Sequence, residues 1–274
     1  MSITKQSALP LINRAKSETM HCFPQYAEMI AKLGVHLISK THALEKRNEI
    51  AASIGAFELF DMPRDHMETL IGDTQDAVAV YYQTIKDESE FVHYLIHEFG
   101  HVISIRASFD VYQEVQKDIA YDIDSKRRAG ASIWSEFIAE YIALQVENQP
   151  PQEITWGETD RLQWYLDQAV GSGSFDYYPY AFYLANYFGN QTIYAYLMRN
   201  PGAAIGFNNY DDALVEINGR AVNTLGEQIL KDDYWIIDFE TLEKLGDSFN
   251  EFWDFCELAE FSRRLKQMKE WGIE

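Results

Sequence analysis

The chain has 274 residues, 47% of them apolar and 14% aromatic, enough for one large domain or two small ones with a substantial core and too apolar for large-scale disorder. A net charge of −20 disfavours nucleic acid, whose phosphates call for clustered Lys and Arg; a basic peptide or protein would suit this surface better, an acidic surface that serves solubility alone being the more common reading. Cys22 and Cys256 are too few and too far apart for a disulfide framework or a cysteine zinc site and read as core residues; no signal peptide or membrane span is visible, so a cytoplasmic protein with no membrane partner is expected, signal-independent export remaining open.

Pro24 opens a helix, PQYAEMIAKLG, closed by Gly34. Val35 to Ser39 reads as a short strand and Thr41 to Ala52 as a helix capped by Thr41. A second strand is expected over Ala56 to Phe60, and a stronger one over Ala77 to Gln83, AVAVYYQ, with its β-branched and aromatic residues. Asp87 and Glu90 form a D-x-x-E capping box at the start of the next helix, whose heart is FVHYLIHEFGHVI, Phe91 to Ile103. Val111 to Asp122 is an amphipathic helix, Asp124 to Gly130 (DSKRRAG) a polar turn, and Ile133 to Val146 a second apolar helix stopped by Asn148, Pro150 and Pro151. A GSGS break at Gly171 to Ser174 precedes an aromatic helix, YYPYAFYLANYFG. Further segments follow at Gln191 to Arg199 and Asp211 to Lys231, and an amphipathic helix runs from about Phe239 to Trp271.

This order predicts an α+β, mostly helical fold in which a small mixed sheet packs against the FVHYLIHEFGHVI helix. An edge strand beside that helix can hold an extended peptide through its backbone. Ala77 to Gln83 is the candidate, an interior strand with no ligand role being the other reading.

Within that helix His97 and His101 fall at i and i+4 on one face, with Glu98 beside them. This is the HExxH arrangement: two imidazoles spaced for one Zn²⁺, and a carboxylate placed to take a proton from water. The bland alternative is a core helix whose histidines and glutamate bond to neighbours. The apolar residues around the three ionisable groups favour a metal that satisfies them together.

A catalytic zinc takes three protein ligands, and no histidine follows His101, so a third one would come from upstream. His93 lies a turn before His97, where one straight helix is poorly shaped to wrap three ligands around one ion; it reads as a supporting or ordinary half-buried histidine. Carboxylates remain. Glu136 and Glu140 lie in IWSEFIAEYIALQV, an apolar helix in which an unpaired carboxylate is costly. Their spacing puts both on one face. Glu136 is assigned as third ligand and Glu140 as the acceptor that orients a ligating imidazole through its other N–H; a solvent-facing or salt-bridged pair is the competing reading.

His97, Glu98, His101 and Glu136 together resemble the gluzincin metallopeptidases, the thermolysin-like group. Glu136 and Glu140, as E-x-x-x-E, are similar to that group's E-x-x-x-D, with Glu replacing the supporting Asp. HEFGH is also the string of anthrax lethal factor, the 35-residue step from His101 to Glu136 is similar to that of clostridial neurotoxin light chains, and ImmA/IrrE-type bacterial peptidases share the HExxH and downstream glutamate. The resemblance covers about Ala77 to Asn148. It implies a zincin-like core, expected within residues 1–150; the C-terminal third shares no such resemblance, and residues 151–274 are expected to form a helical region that completes the active-site cleft, or one domain contains both. It also implies one Zn²⁺ per chain, Glu98 as general base in peptide hydrolysis, and a further donor for the oxyanion, for which Tyr178 or Tyr180 near the GSGS break is the candidate, a purely core role for this aromatic stripe being the more common reading. An inactive zincin-like domain acting as a binding, immunity or scaffold protein is the second hypothesis.

Overall fold

A computed structural model of the chain describes residues 3–56, 66–121, 126–147, 212–251 and 254. Among the described residues the fold is mostly helical with one small mixed sheet, an α+β arrangement. It divides into two compact units, residues 1–106 with 138–149 and residues 107–137 with 150–274. None of the described helices is long and apolar enough to cross a membrane.

The first unit begins with a helix that the sequence patterns did not single out, α1 (Lys5–Cys22). Thr4 and Ser7 form its capping box, and Ala8, Leu11, Ile12, Ala15 and Thr19 line its buried face. Cys22, at its end, is exposed, which corrects the expectation of a core cysteine. A 3-10 turn over Pro24–Tyr26 leads into α2 (Ala27–Lys32). The chain turns extended at Leu33, so Gly34 starts strand β1 (Gly34–Leu37) instead of closing the helix. Likewise Thr41 does not cap the next helix. Lys40–His42 form a 3-10 turn, and α3 (Ala43–Ile54) follows with no side-chain cap, ending at Gly55 in the left-handed conformation, φ 65°.

Strands β2 (Met67–Leu70) and β3 (Ala77–Val80) complete a sheet of order β1-β3-β2, with β1 parallel and β2 antiparallel to β3. This overturns the candidate peptide-holding edge. β3 is central, buried throughout and hydrogen-bonded on both sides, and it stops at Val80 because Tyr82–Thr84 form a 3-10 turn. Of the expected strand over Ala56 to Phe60, Ala56 forms an isolated bridge to Gly72; residues 57–60 lie outside the described residues.

The pleat sorts the two faces of this sheet. Leu70, Ala77, Ala79 and Tyr81 pack with Ile38, Ala51 and Ile54 into one apolar cluster, which puts α3 on that face. The opposite face carries Thr69 paired with Val78, and Thr69 bonds to helix α4 (Glu88–Ala107). Asp87 caps α4 by accepting the Glu90 N–H at 2.9 Å, while Glu90 Oε2 reaches back to the Lys86 N–H at 2.7 Å. At the other end of α4, Arg106 donates to both Asp76 oxygens, at 2.8 and 2.6 Å, and to the Gly72 carbonyl at 2.6 Å. These bonds pin α4 to the turn between β2 and β3.

Helix α5 (Phe109–Tyr121) belongs to the second unit, as does the first part of α6 (Lys126–Glu147). The polar run expected as a turn is helical from Lys126 onward. Its charges have partners within the unit: Arg127 pairs with Glu243 at 2.7 Å and lies over the Phe239 ring, and Lys126 approaches Asp247 at 3.4 Å. Gly130 has no room for a side chain, since a Cβ there would stand 1.9 Å from the Leu242 carbonyl oxygen. Helix α7 (Asp212–Ile229) and a helical stretch over 239–251 follow, with Ser108 Oγ accepting the Ile237 N–H at 2.9 Å. Cys256, the GSGS break and the aromatic segment with Tyr178 and Tyr180 lie outside the described residues.

Candidate metal centre

Helix α4 presents His97, Glu98 and His101 with one ligand atom each, all within 4.8 Å of one another, the one such group of three among the described residues. Helical geometry alone puts the two imidazoles a turn apart, and their rings stand nearly perpendicular with centroids 4.8 Å apart. Glu98 and His101 are buried, and His97 is half-buried. Seven apolar neighbours on α4, from Phe91 to Ile103, are also buried, so the helix is packed on most of its circumference.

Within the first unit, the part of α6 from Ile138 onward crosses α4 closely. A Cβ added at Gly100 would stand 2.8 Å from Ala139 Cα and 3.0 Å from its carbonyl oxygen, so the glycine inside HEFGH is what lets the two backbones approach. The approach brings Glu140 to His97, whose Nδ1 lies 3.1 Å from Glu140 Oε2. Burial by itself would raise the Glu140 pKa. Hydrogen bonds from His93 and His97 outweigh it and hold the carboxyl down at about 2. An ionised carboxylate only accepts, so His97 Nδ1 carries the proton of this bond and Nε2 is the nitrogen through which the ring would ligate a metal.

Glu140 Oε2 also lies 3.3 Å from His93 Nε2, and His93 Nδ1 lies 2.9 Å from Glu147 Oε2. Burial would lower the His93 pKa, but hydrogen bonds to Glu140 and then Glu147 raise it to about 9. His93 is thus tied to the carboxylate that holds His97. Glu98 has its own partner in Thr69 of β2, whose Oγ1 lies 2.6 Å from Glu98 Oε2 and 3.0 Å from its backbone carbonyl. With a single hydroxyl proton, Thr69 serves the carboxylate at the shorter distance.

Glu136 is buried on α6, one helical turn before Glu140. Three contributors had weak or no signals in the sequence. Glu147 follows Glu140 at i+7, an approximate same-face spacing. Gly100 inside a helix points to a close approach without naming the neighbour. Thr69 has no local signature at all, because only the sheet pairing brings it to Glu98.

No known protein family matches the chain, and neither the curated proteins nor the solved structures compared with it contain a match. The donor set therefore has to speak for itself. Two imidazoles, one with its Nδ1 occupied by a buried carboxylate, together with an adjacent carboxylate, make a group that can hold a metal ion.

Proposed function

We propose that this chain is a zinc-dependent metallopeptidase of gluzincin type. The observation that carries the reading is the His97–Glu140 bond: a ligating histidine that gives its other N–H to a carboxylate is the usual support of a metal site, and here it occurs on an HExxH helix. His97 and His101 would hold Zn²⁺ through ring nitrogens. Glu136 is proposed as the third ligand, on the grounds of its burial and its one-turn step from Glu140 along α6. Nitrogen and carboxylate donors suit zinc, whereas calcium and magnesium take oxygen donors.

Zinc bound there supplies a Lewis acid that acidifies water and polarises a peptide carbonyl. Glu98 is the base that accepts the proton and returns it to the leaving amine. Thr69 holds the Glu98 carboxylate through one oxygen and so orients it for proton transfer. Tyr178 and Tyr180 remain the proposed oxyanion donors on sequence grounds. The substrate class is a peptide or protein, with a basic one favoured by the charge of −20.

Zinc content by mass spectrometry, measured beside hydrolysis of a fluorescently labelled casein and of a peptide library, tests this reading. Wild type should carry one zinc and cleave; Glu98→Gln should keep zinc and lose cleavage; Glu136→Ala should lose zinc. Wild-type protein free of stoichiometric zinc after metal loading would sink the ligand assignment. Zinc bound without cleavage of any peptide in the library would favour the inactive binding domain instead.

A further inference from the structure

The chain of contacts that starts at His97 does not stop at Glu140. It continues through His93 to Glu147, so that two imidazoles and two carboxylates alternate over three links: a hydrogen bond from His97 Nδ1 to Glu140 Oε2 at 3.1 Å, an ion-pair contact between Glu140 Oε2 and His93 Nε2 at 3.3 Å, and a hydrogen bond between His93 Nδ1 and Glu147 Oε2 at 2.9 Å. All four side chains belong to the first unit, two on α4 and two on α6.

The arrangement follows from helical repeats on both partners. His93 and His97 are one turn apart on α4, and Glu140 and Glu147 are two turns apart on α6, so the two faces meet in register over two turns. One oxygen of Glu140 faces both imidazoles, in a hydrogen bond with His97 and an ion-pair contact with His93, so His93 shares in setting its direction. His93 in turn is held at both ring nitrogens by carboxylates, and its ring stands edge-on to Tyr94, with centroids 5.9 Å apart. A histidine bonded at both nitrogens has no freedom to flip.

We propose that His93 and Glu147 are positioning residues of the metal centre, acting through Glu140 to fix the orientation of His97 and so to raise the affinity for zinc. The proposal rests on the reading of His97 and His101 as zinc ligands and extends it by two residues that do not touch the metal. Without His93, Glu140 keeps one imidazole donor instead of two and gains room to swing away from His97. Without the Glu147 charge, His93 is held at one end only.

Zinc affinity, measured by competition with a chromogenic chelator on the full chain, tests this without any substrate. His93→Leu is expected to weaken zinc binding about tenfold, the lower end of what loss of a supporting partner costs, and Glu147→Gln to weaken it severalfold. His93→Gln retains an amide N–H for Glu140 and should recover part of the loss. The deciding comparison is the pair of backgrounds. In Glu140→Gln protein, His93→Leu should have no further effect on zinc affinity, because its route to the metal is already cut.

Wild type that binds no zinc overturns the reading of the site itself. Wild type that binds zinc, with His93→Leu and Glu147→Gln unchanged in affinity, overturns the positioning role alone. An equal loss from His93→Leu in both backgrounds overturns the path through Glu140. If His93→Leu fails to fold, Glu147→Gln, alone and in the Glu140→Gln background, gives the same decision.

Discussion

Two buried polar clusters lie on opposite faces of the same sheet and end in different ways. On the α3 side, Arg47 approaches Glu68 at 3.5 Å, and the Tyr81 hydroxyl donates to the same carboxylate at 3.1 Å. Burial, then the neighbouring Glu68, pushes the Tyr81 pKa upward, so it stays a neutral donor. Nothing in this cluster offers a nitrogen lone pair, since a guanidinium only donates. On the α4 side the carboxylates of Glu140 and Glu147 take N–H groups from His97 and His93, and the His97 ring turns its other nitrogen into the group of three potential ligands with Glu98 and His101. Both clusters bury charge. The presence of imidazole nitrogens able to ligate, and not the burial, distinguishes a candidate site from a structural network.

If that distinction holds, damage to the first cluster should reach stability and leave the metal alone. Glu68→Leu removes the counter-charge of a buried arginine and should cost about 3–5 kcal/mol in urea unfolding. In whatever fraction remains folded, zinc affinity should stay within a factor of about three, a difference smaller than any expected for partners of the ligands. A large loss of zinc affinity in folded Glu68→Leu protein would erase the contrast between the faces.

Glu140→Gln reverses the pattern. It should lower zinc affinity roughly 10- to 100-fold in chelator competition. Gly100→Ala probes the crossing that creates the second cluster, because the new methyl meets Ala139 backbone at 2.8 Å. The expected cost is about 1–3 kcal/mol in stability, with weaker zinc binding alongside as α6 shifts from α4. Unchanged zinc affinity in that variant would mean that Glu140 does not depend on the close approach.

A smaller effect concerns pH. The folded His93 pKa of about 9 lies above its ordinary 6.5, so its contribution to stability is complete below pH 6.5 and is lost as pH rises through about 9. In metal-free protein the loss should be no more than about 3 kcal/mol, counted once for the pair it forms with Glu140. Urea titrations across that window should show it, and His93→Gln should flatten it. Smallest of all, Thr69→Val should lower the rate of peptide hydrolysis about tenfold, in line with one hydrogen bond to a charged group, while zinc affinity is kept and Thr69→Ser restores the rate.

The local half of the candidate site was legible in residue order because a helix repeats every few residues. The His97–His101 step, the Asp87 start of α4 and the placement of Glu136 and Glu140 on an apolar helix each follow from spacing within a dozen positions. Where local rules misled, packing had decided otherwise. The polar run after Lys126 reads as a turn, yet its charges meet Glu243 and Asp247 on a helix more than a hundred residues later. Ala77 to Gln83 reads equally as an edge or a centre, since backbone pairing on both sides leaves no mark on the strand itself.

Sequence alone thus determined which residues bring lone pairs and carboxylates to one helical face, and it did so for His97, Glu98 and His101 because their geometry is contained in a single turn. Only the tertiary structure decided who holds them. The Gly100–Ala139 crossing sets Glu140 against His97 and His93, and β2 pairing beside β3 sets Thr69 against Glu98. Those contacts join residues separated by 29 to 47 positions, and a separation of that length is closed by helix crossing and strand register, which no local period encodes.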